Sequence, residues 1–322
     1  MSKLGTVLKK VRRLATSSYL WRRLLLEVPP FSLVSWAYLS IRHSDYIWLN
    51  IFNKKAHQLF LKYPPEVNEA QKKAIEDLKN SGIAVFNFTD LFDKRELQEL
   101  VRLSEKYIEE KKEFIEKTPQ NKRTKYYVKG LFGDNPSVVL DNKLMCFVFE
   151  ERILTIVNSY LNMFSRMQNL SLQYNIPVPG DSILSQNWHR DPEDKEMVKM
   201  FFYLRDVDSS NGPFSYVPGS HYRGPHRKAF GRKPFQGIYT KAGAVEEKLG
   251  DIIKEYMGKA GTILLCDTSG LHKGGHCTKN PRIILHAGYV TDASISRKKY
   301  TLNNKPEFSE LSPAKKYALY LD

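Results

Sequence analysis

The sequence has only three cysteines, Cys146, Cys266 and Cys277, with no C-x-x-C pair among them. That excludes a disulfide framework and argues against a structural zinc site, and it fits a reducing compartment. Long apolar runs are also missing. The best one, Phe31 to Ile41, falls well short of the roughly 20 residues a membrane-spanning helix requires. Arg22 and Arg23 interrupt the only apolar stretch that a cleavable signal could use. A cytoplasmic protein is the expectation. There are no internal repeats and no long low-complexity tract. Acidic residues are in deficit: 35 Asp and Glu face 50 Lys and Arg, a net charge of +15 over 322 residues. Hydrophobic residues at 42% and charged residues at 26% are those of an ordinary globular chain, which excludes wholly disordered and collagen-like classes.

The charge is uneven. Residues 1–60 carry ten Lys and Arg against Glu27 and Asp45 alone. Residues 3–23 have Leu4, Val7, Leu8, Val11 and Leu14 at helical spacing, with Lys9, Lys10, Arg12 and Arg13 mostly elsewhere on the wheel. Such a helix either rests at the periphery of an anionic membrane or packs on the protein body. The surplus suits an anionic or lipid-linked small-molecule substrate, and equally a merely soluble basic protein. Nucleic acid is the less favoured partner, because no nucleic-acid-binding motif accompanies the charge.

Along the chain, Pro29-Pro30 and Pro64-Pro65 punctuate a helical, aromatic-rich stretch, giving an N-terminal extension over 1–64 and a main domain over 65–322. A polar helix is expected around 66–80, a strand over 82–88, a charged helix over 93–116, a basic loop over 119–143 and an amphipathic helix over 147–164. Beyond these, short β-rich runs alternate with turn residues: 170–178, 198–207, 214–217, 261–267 and 282–290. Helices first and strands after predict an α+β chain with a mainly β core over about 165–295, a jelly roll flanked by helices.

Two segments carry chemistry. In Trp188-His189-Arg190-Asp191, residues i and i+2 of a strand share one face, so one imidazole and one carboxylate converge. That is two thirds of the 2-His-1-carboxylate site of non-haem Fe(II) oxygenases. The second, Leu271-His272-Lys273-Gly274-Gly275 running to Arg282, offers another imidazole and an arginine suited to a bidentate carboxylate. A co-substrate chelating the iron through two oxygens would leave one position for dioxygen.

These segments, with Asp206-Val207-Asp208-Ser209-Ser210-Asn211-Gly212-Pro213 and Val217-Pro218-Gly219-Ser220-His221 between them, resemble the phytanoyl-CoA dioxygenase family of Fe(II)/2-oxoglutarate-dependent oxygenases. The likeness is close over about 170–291, looser over 82–165 and absent over 1–60. It implies a double-stranded β-helix, the distorted, cupin-like jelly roll, with flanking helices. It implies His189, Asp191 and His272 as Fe(II) ligands and Arg282 as the anchor for the far carboxylate of 2-oxoglutarate. Ala260-Gly261-Thr262 departs from the family's usual Ala-Gly-Asp at a turn that holds no ligand. Related halogenases replace the ligand carboxylate with a small residue, so Asp191 favours hydroxylation.

The remaining candidates divide as follows. His272 is preferred to His276 because its ten-residue interval to Arg282 suits a histidine at one strand's end and an arginine on the neighbouring antiparallel strand. His276 is then a peripheral residue. His221 closes a turn. His286 alternates with apolar neighbours and faces either the site or the core, a hydrogen-bonded core histidine being the expected role. Trp188, Asn187 and Gln173 lie near the metal in sequence. Lys129 is a further basic candidate for the co-substrate, against the plainer reading of a solvated loop lysine. Asn211 and Gly212 shape a tight turn. The expected activity is hydroxylation of a C–H bond in a small-molecule or acyl-type substrate, with Fe(II), 2-oxoglutarate and O2, and release of succinate and CO2. The alternatives are a catalytically idle jelly-roll binding module and a nucleic-acid-binding protein.

Overall fold

The computed structural model describes residues 44–117, 125–139, 141–231, 239–296, 298–303 and 310–322, with Leu33, Ala37, Ser40 and Ile41 before them. The expected basic helix over 3–23 and the break at Pro29-Pro30 lie outside the described residues.

Eleven strands are present among the described residues: β1 Ile83–Asn87, β2 Val128–Gly130, β3 Ser137–Val139, β4 Arg166–Asn175, β5 Val198–Tyr203, β6 Phe214–Tyr216, β7 Lys254–Tyr256, β8 Thr262–Asp267, β9 His272–Lys273, β10 Arg282–Val290 and β11 Thr301–Asn303. Six form one antiparallel sheet in the order β1-β8-β5-β10-β4-β2. A second, three-stranded sheet runs β7-β6-β9. The ring centroids of Phe201 on β5 and Phe214 on β6 lie 4.5 Å apart and join the two sheets.

The large sheet is covered on both faces, which is why its central strands read as nearly continuous apolar runs. On β10 all nine residues are buried. One face, with Met200, Phe202, Ile263, Leu265, Ile283, Leu285 and Ala287, packs into a core shared with the helices. The other, with Ile83, Tyr203, Leu264 and Ile284, packs on Phe214 and Tyr216 of the small sheet.

Four helices matter to that core: α1 Lys54–Lys62, α2 Glu69–Ser81, α3 Lys94–Glu110 and α4 Glu151–Leu161. Helix α2 starts at an Asn68/Gln71 capping box and stops at Gly82, whose φ of +81° takes the left-handed conformation that closes a helix without a Cβ clash. It buries Ala74, Ile75 and Leu78. Residues before 64 share this core: Trp48 and Ala56 are buried in it, and Trp48 Nε1 donates to Asp194.

Three boundaries differ from expectation. The charged helix ends at Glu110, where Lys111 leaves helical geometry. The expected helix over 147–164 is a short 3-10 turn, Phe147–Phe149, then α4, because Glu150 is extended and Asn162 turns left-handed. The basic loop over 119–143 contains β2 and β3, each three residues long and too short to show a period in sequence.

Candidate iron and co-substrate site

The site lies between the two sheets, in a cavity of about 250 Å³ lined by His189, Asp191, His272, Arg282 and His286 among others. One ligand atom from each of His189, Asp191 and His272 lies within 4.8 Å of the other two, and all three residues are buried. The rings of His189 and His272 are 4.2 Å apart.

His189 and Asp191 are not on a regular strand. His189 makes isolated bridges to His272 and Tyr239, its amide donating to His272 O at 3.0 Å, and the Asp191 amide donates to Thr268 O at 2.9 Å. Two anchors spaced two residues apart still hold the local backbone extended. Alternation therefore survives: Arg190, between the two, points elsewhere and donates to Ser220 O and Ser269 O.

Each imidazole is locked by its own chain. His189 Nδ1 donates to Asn187 O at 2.8 Å, and His272 Nδ1 donates to Gly270 O at 3.0 Å. That fixes the tautomer with Nε2 as the lone-pair atom, the arrangement that orients a metal-binding histidine. Burial pushes the His272 pKa down to about 4 and holds His189 well below the usual imidazole range, so both rings are neutral at pH 7. His272 Nε2 lies 3.4 Å from Asp191 Oδ2. The same oxygen accepts from Lys199 Nζ at 2.5 Å.

Arg282 opens β10 and is 7% exposed, yet its Nε and Nη1 have no hydrogen-bond partner in the protein. Beside it, Tyr127 Oη and Ser185 Oγ share a hydrogen bond at 2.8 Å, and Gln173 lines the cavity on β4. His272 and Arg282 are not on neighbouring strands of one sheet, as their interval suggested. His272 is on the small sheet and Arg282 on the large one, and the chain between them crosses the cavity.

The middle signature explains that crossing. Gly212, at φ +64°, packs so tightly that a Cβ there would come within 2.4–2.5 Å of the Gly275 and His276 backbone, and a Cβ on Gly275 within 2.3 Å of Pro213 O. Asn211 Nδ2 donates to Pro281 O at 2.9 Å. The turn thus clamps the segment leading from His272 to Arg282. Ser220 Oγ accepts from the Leu271 amide, and His221 Nε2 donates to Lys79 O at 3.2 Å, so the Pro218–His221 loop braces β9 against α2.

Other candidates fall outside the site. Trp188 Nε1 donates to Glu246 at 2.6 Å, and its ring packs among Val217, Val245 and Leu271 rather than lining the cavity. Lys129 is neither a solvated loop lysine nor a cavity residue: it is 4% exposed and donates to Lys117 O at 2.8 Å. Its alternate neighbour Val128 lines the cavity instead, with Lys125 nearby. His276 Nε2 donates to Val178 O and stands apart from the triad.

His286 reverses its expected role. It faces the cavity, not the core, and its Nδ1 has no partner. The signal was in the strand period: Arg282, Ile284 and His286 are at i, i+2 and i+4, and all three line the cavity. Burial, with Lys199 and Lys125 adding to it, pushes its pKa down to about 3. Lys125, Lys199 and Lys299 also line the cavity and were not singled out from sequence.

Two neutral imidazoles and a carboxylate on one side of a cavity suit a ferrous ion. A buried guanidinium with two unpaired N–H donors suits the carboxylate of a chelating co-substrate. Among the described residues no helix is long and apolar enough to cross a membrane. The chain's structure is similar to EctD from S. alaskensis in its apoform, with TM-score 0.50 and 18% identity over 80% of this chain and 90% of that one. It is also similar to the epimerase SnoN in complex with Fe3+, alpha ketoglutarate and nogalamycin RO (TM-score 0.48, 16% identity, 71% and 86% covered). The carbocyclase SnoK from nogalamycin biosynthesis gives TM-score 0.48 at 17% identity, with 78% and 95% covered. No curated protein matches the sequence. The phytanoyl-CoA dioxygenase (PhyH) family model matches residues 63–284, more than half of the chain. The chain therefore belongs to the phytanoyl-CoA dioxygenase family, and it is a non-haem iron- and 2-oxoglutarate-dependent oxygenase.

Proposed function

We propose that this chain hydroxylates a C–H bond of a small-molecule substrate, with His189, Asp191 and His272 as the Fe(II) ligands and Arg282 as the anchor of 2-oxoglutarate. One observation carries the reading: a single cavity holds three converging ligand atoms and a buried guanidinium with unpaired donors. When bound, iron and 2-oxoglutarate supply the oxidising power, dioxygen giving one oxygen atom to succinate as CO2 leaves and the other to the substrate.

The protein's part is binding and orientation. The carbonyls of Asn187 and Gly270 hold the two imidazoles with Nε2 toward the cavity. Asp191 supplies the anionic ligand, and its presence leaves no room in the ligand set for a halide. Arg282 fixes the far carboxylate, with Gln173 and the Tyr127–Ser185 pair as polar walls. Phe201 and Phe214 close the cavity on its apolar side and keep water from the reacting centre. The two facing sheets form the double-stranded β-helix of this reading. Residues 65–322 are its oxygenase domain and 1–64 an extension, a division that the family match beginning at residue 63 supports.

The test is turnover under air. The wild type should release succinate from 2-oxoglutarate and add one oxygen atom to a substrate found by mass spectrometry in a metabolite extract, and Asp191→Ala should do neither. Full succinate release by Asp191→Ala would remove Asp191 from the ligand set.

A further inference from the structure

The polar groups that iron and 2-oxoglutarate leave unused gather at one place on the large sheet. Alternation along β10 turns Arg282, Ile284, His286 and Gly288 to the cavity side, and the first three line it. Their neighbours across the sheet share that face: Phe201 beside His286, and Asn169 and Lys199 beside Gly288. Six residues of strand, roughly 20 Å, separate Gly288 from Arg282. The register slips between Gly288 and Tyr289, which leaves Gln168 as the extra residue on β4 and turns both Gln168 and Asn169 to the cavity. A Cβ on Gly288 would meet Asn169 Oδ1 at 2.5 Å and Gln168 Oε1 at 3.2 Å, so the two amide oxygens converge on one spot above the glycine. Among the described residues neither side-chain amide has a hydrogen-bond partner.

The cations at this end are already engaged. Lys199 Nζ is bonded to Asp191, and Lys125 and Lys299 have partners of their own. What stays unsatisfied is neutral: the two amide oxygens, and the His286 ring, whose Nδ1 has no partner and which burial keeps uncharged. 2-Oxoglutarate cannot satisfy them, because its keto-acid end belongs to the iron and its far carboxylate to Arg282. The spot is also near the metal. Lys199 pairs with Gly288 across the sheet and spans to Asp191 with one side chain. The Phe201 ring lies 5.2 Å from His286 and 4.5 Å from Phe214, which stacks on His272 at 5.8 Å. At about 250 Å³ the cavity is smaller than the roughly 300–1,000 Å³ of ordinary ligand clefts, and it must also hold 2-oxoglutarate, so the substrate part beside it is compact.

Resting on the proposed function, we propose that Gln168, Asn169, His286 and Gly288 form a substrate subsite that takes an uncharged, donor-bearing group: two neighbouring hydroxyls or a primary amide. Two converging acceptor oxygens call for two N–H or O–H donors, and a neutral imidazole adds one donor and one acceptor beside them. A carboxylate or phosphate there would face the amide oxygens, and a substrate cation would stand among lysines. Gly288 sets the specificity, since its missing side chain is the room the group occupies. The held group places the adjoining carbon next to the iron ligands.

The experiment is saturation-transfer NMR on the full chain loaded with diamagnetic Zn(II), with and without 2-oxoglutarate. Ethylene glycol and acetamide are the neutral probes, and acetate and methylammonium the charged ones. The wild type should transfer to a neutral probe in preference to both charged ones, and the stronger neutral arm tells hydroxyls from amide. Gly288→Ala and His286→Leu should each weaken that probe roughly threefold to tenfold, the range for a lost neutral hydrogen bond, while 2-oxoglutarate affinity by calorimetry stays unchanged. His286→Gln keeps a hydrogen-bonding group and should recover part of what His286→Leu loses. Gly288→Ala displaces only the ends of two flexible side chains, so the chain should fold; if it does not, the His286 pair of variants decides. No transfer in the wild type, preference for a charged probe, or indifference to these substitutions would overturn the subsite and leave the proposed function standing. Failure of the wild type to bind 2-oxoglutarate would instead strike the proposed function, and the arm without it would still read the subsite.

Discussion

Replacing Arg282 with methionine should separate binding from stability in opposite directions. The guanidinium is buried, and two of its nitrogens find no partner within the protein. In the protein alone this is a cost, since unsatisfied buried donors are worth about 1–3 kcal/mol each. In the complex it is the source of affinity, because truncating one side of a buried, hydrogen-bonded charge pair costs about 2–5 kcal/mol. Arg282→Met should therefore weaken 2-oxoglutarate by roughly thirtyfold to several thousandfold. The unliganded protein should be as stable as the wild type or gain about 1 kcal/mol, a rise of about 1–2 °C in Tm for a chain of this size. Arg282→Lys keeps the charge and loses the fork, so it should fall between. Calorimetry with Ni(II) in place of iron reads the affinity, and scanning calorimetry without ligand reads the stability. Wild-type affinity in Arg282→Met would refute the anchor. A large loss of stability alongside the loss of affinity would show instead that the arginine is a structural brace.

Other outcomes follow from the same geometry. Lys199→Met removes a cation bonded to the Asp191 oxygen nearest His272, and should tighten Ni(II) or Fe(II) at least about tenfold, since like charges near 4 Å cost about 4 kcal/mol at a surface-like dielectric; weaker metal binding by calorimetry would contradict this. Because burial keeps His272 neutral down to about pH 4 and holds His189 low, metal affinity should be nearly flat between pH 6 and 8, and a proton-linked fall near pH 6.5 would count against the two histidines as ligands. The folded His272 pKa lies below its ordinary value, so stability is fully present above about pH 6.5 and declines as pH falls toward 4; the metal-free protein should lose about 3 kcal/mol from this residue alone, read by urea unfolding across that window. Gly275→Ala puts a Cβ against Pro213 and Gly212 backbone that cannot yield cheaply; it should cost about 3 kcal/mol or more and weaken the metal site with it, and a wild-type Tm would disprove the clamp.

What the sequence disclosed and what it hid follow from range. The spacing of His189 and Asp191 is local, and two backbone anchors preserve its alternation without a strand. Strands with both faces buried, such as β8 and β10, show as apolar runs and were legible. His286 was legible too, from its period with Arg282, but its apolar neighbours suggested a core place; those neighbours in fact belong to the opposite face of β10. Lys129 misled because β2 is three residues long, so nothing in the sequence said which side chains turn inward. The lysines of the cavity come from separated segments, and only the sheet pairing and the bulge at Gly288 bring Lys199, Gln168 and Lys299 to one end. Which sheet each strand joins was likewise beyond local reading: β9 lies in the small sheet and β10 in the large one, which is why the path from His272 to Arg282 looked like a hairpin and is a crossing.

The central claim is that His189, Asp191 and His272 together hold the iron. Anomalous diffraction at the iron edge, from crystals soaked anaerobically with Fe(II) and 2-oxoglutarate, tests it most directly. The account predicts one strong peak bounded by His189 Nε2, an Asp191 carboxylate oxygen and His272 Nε2, with 2-oxoglutarate running from it to Arg282. A peak at His276 or Cys277, or iron at the triad with no 2-oxoglutarate reaching Arg282, would contradict it.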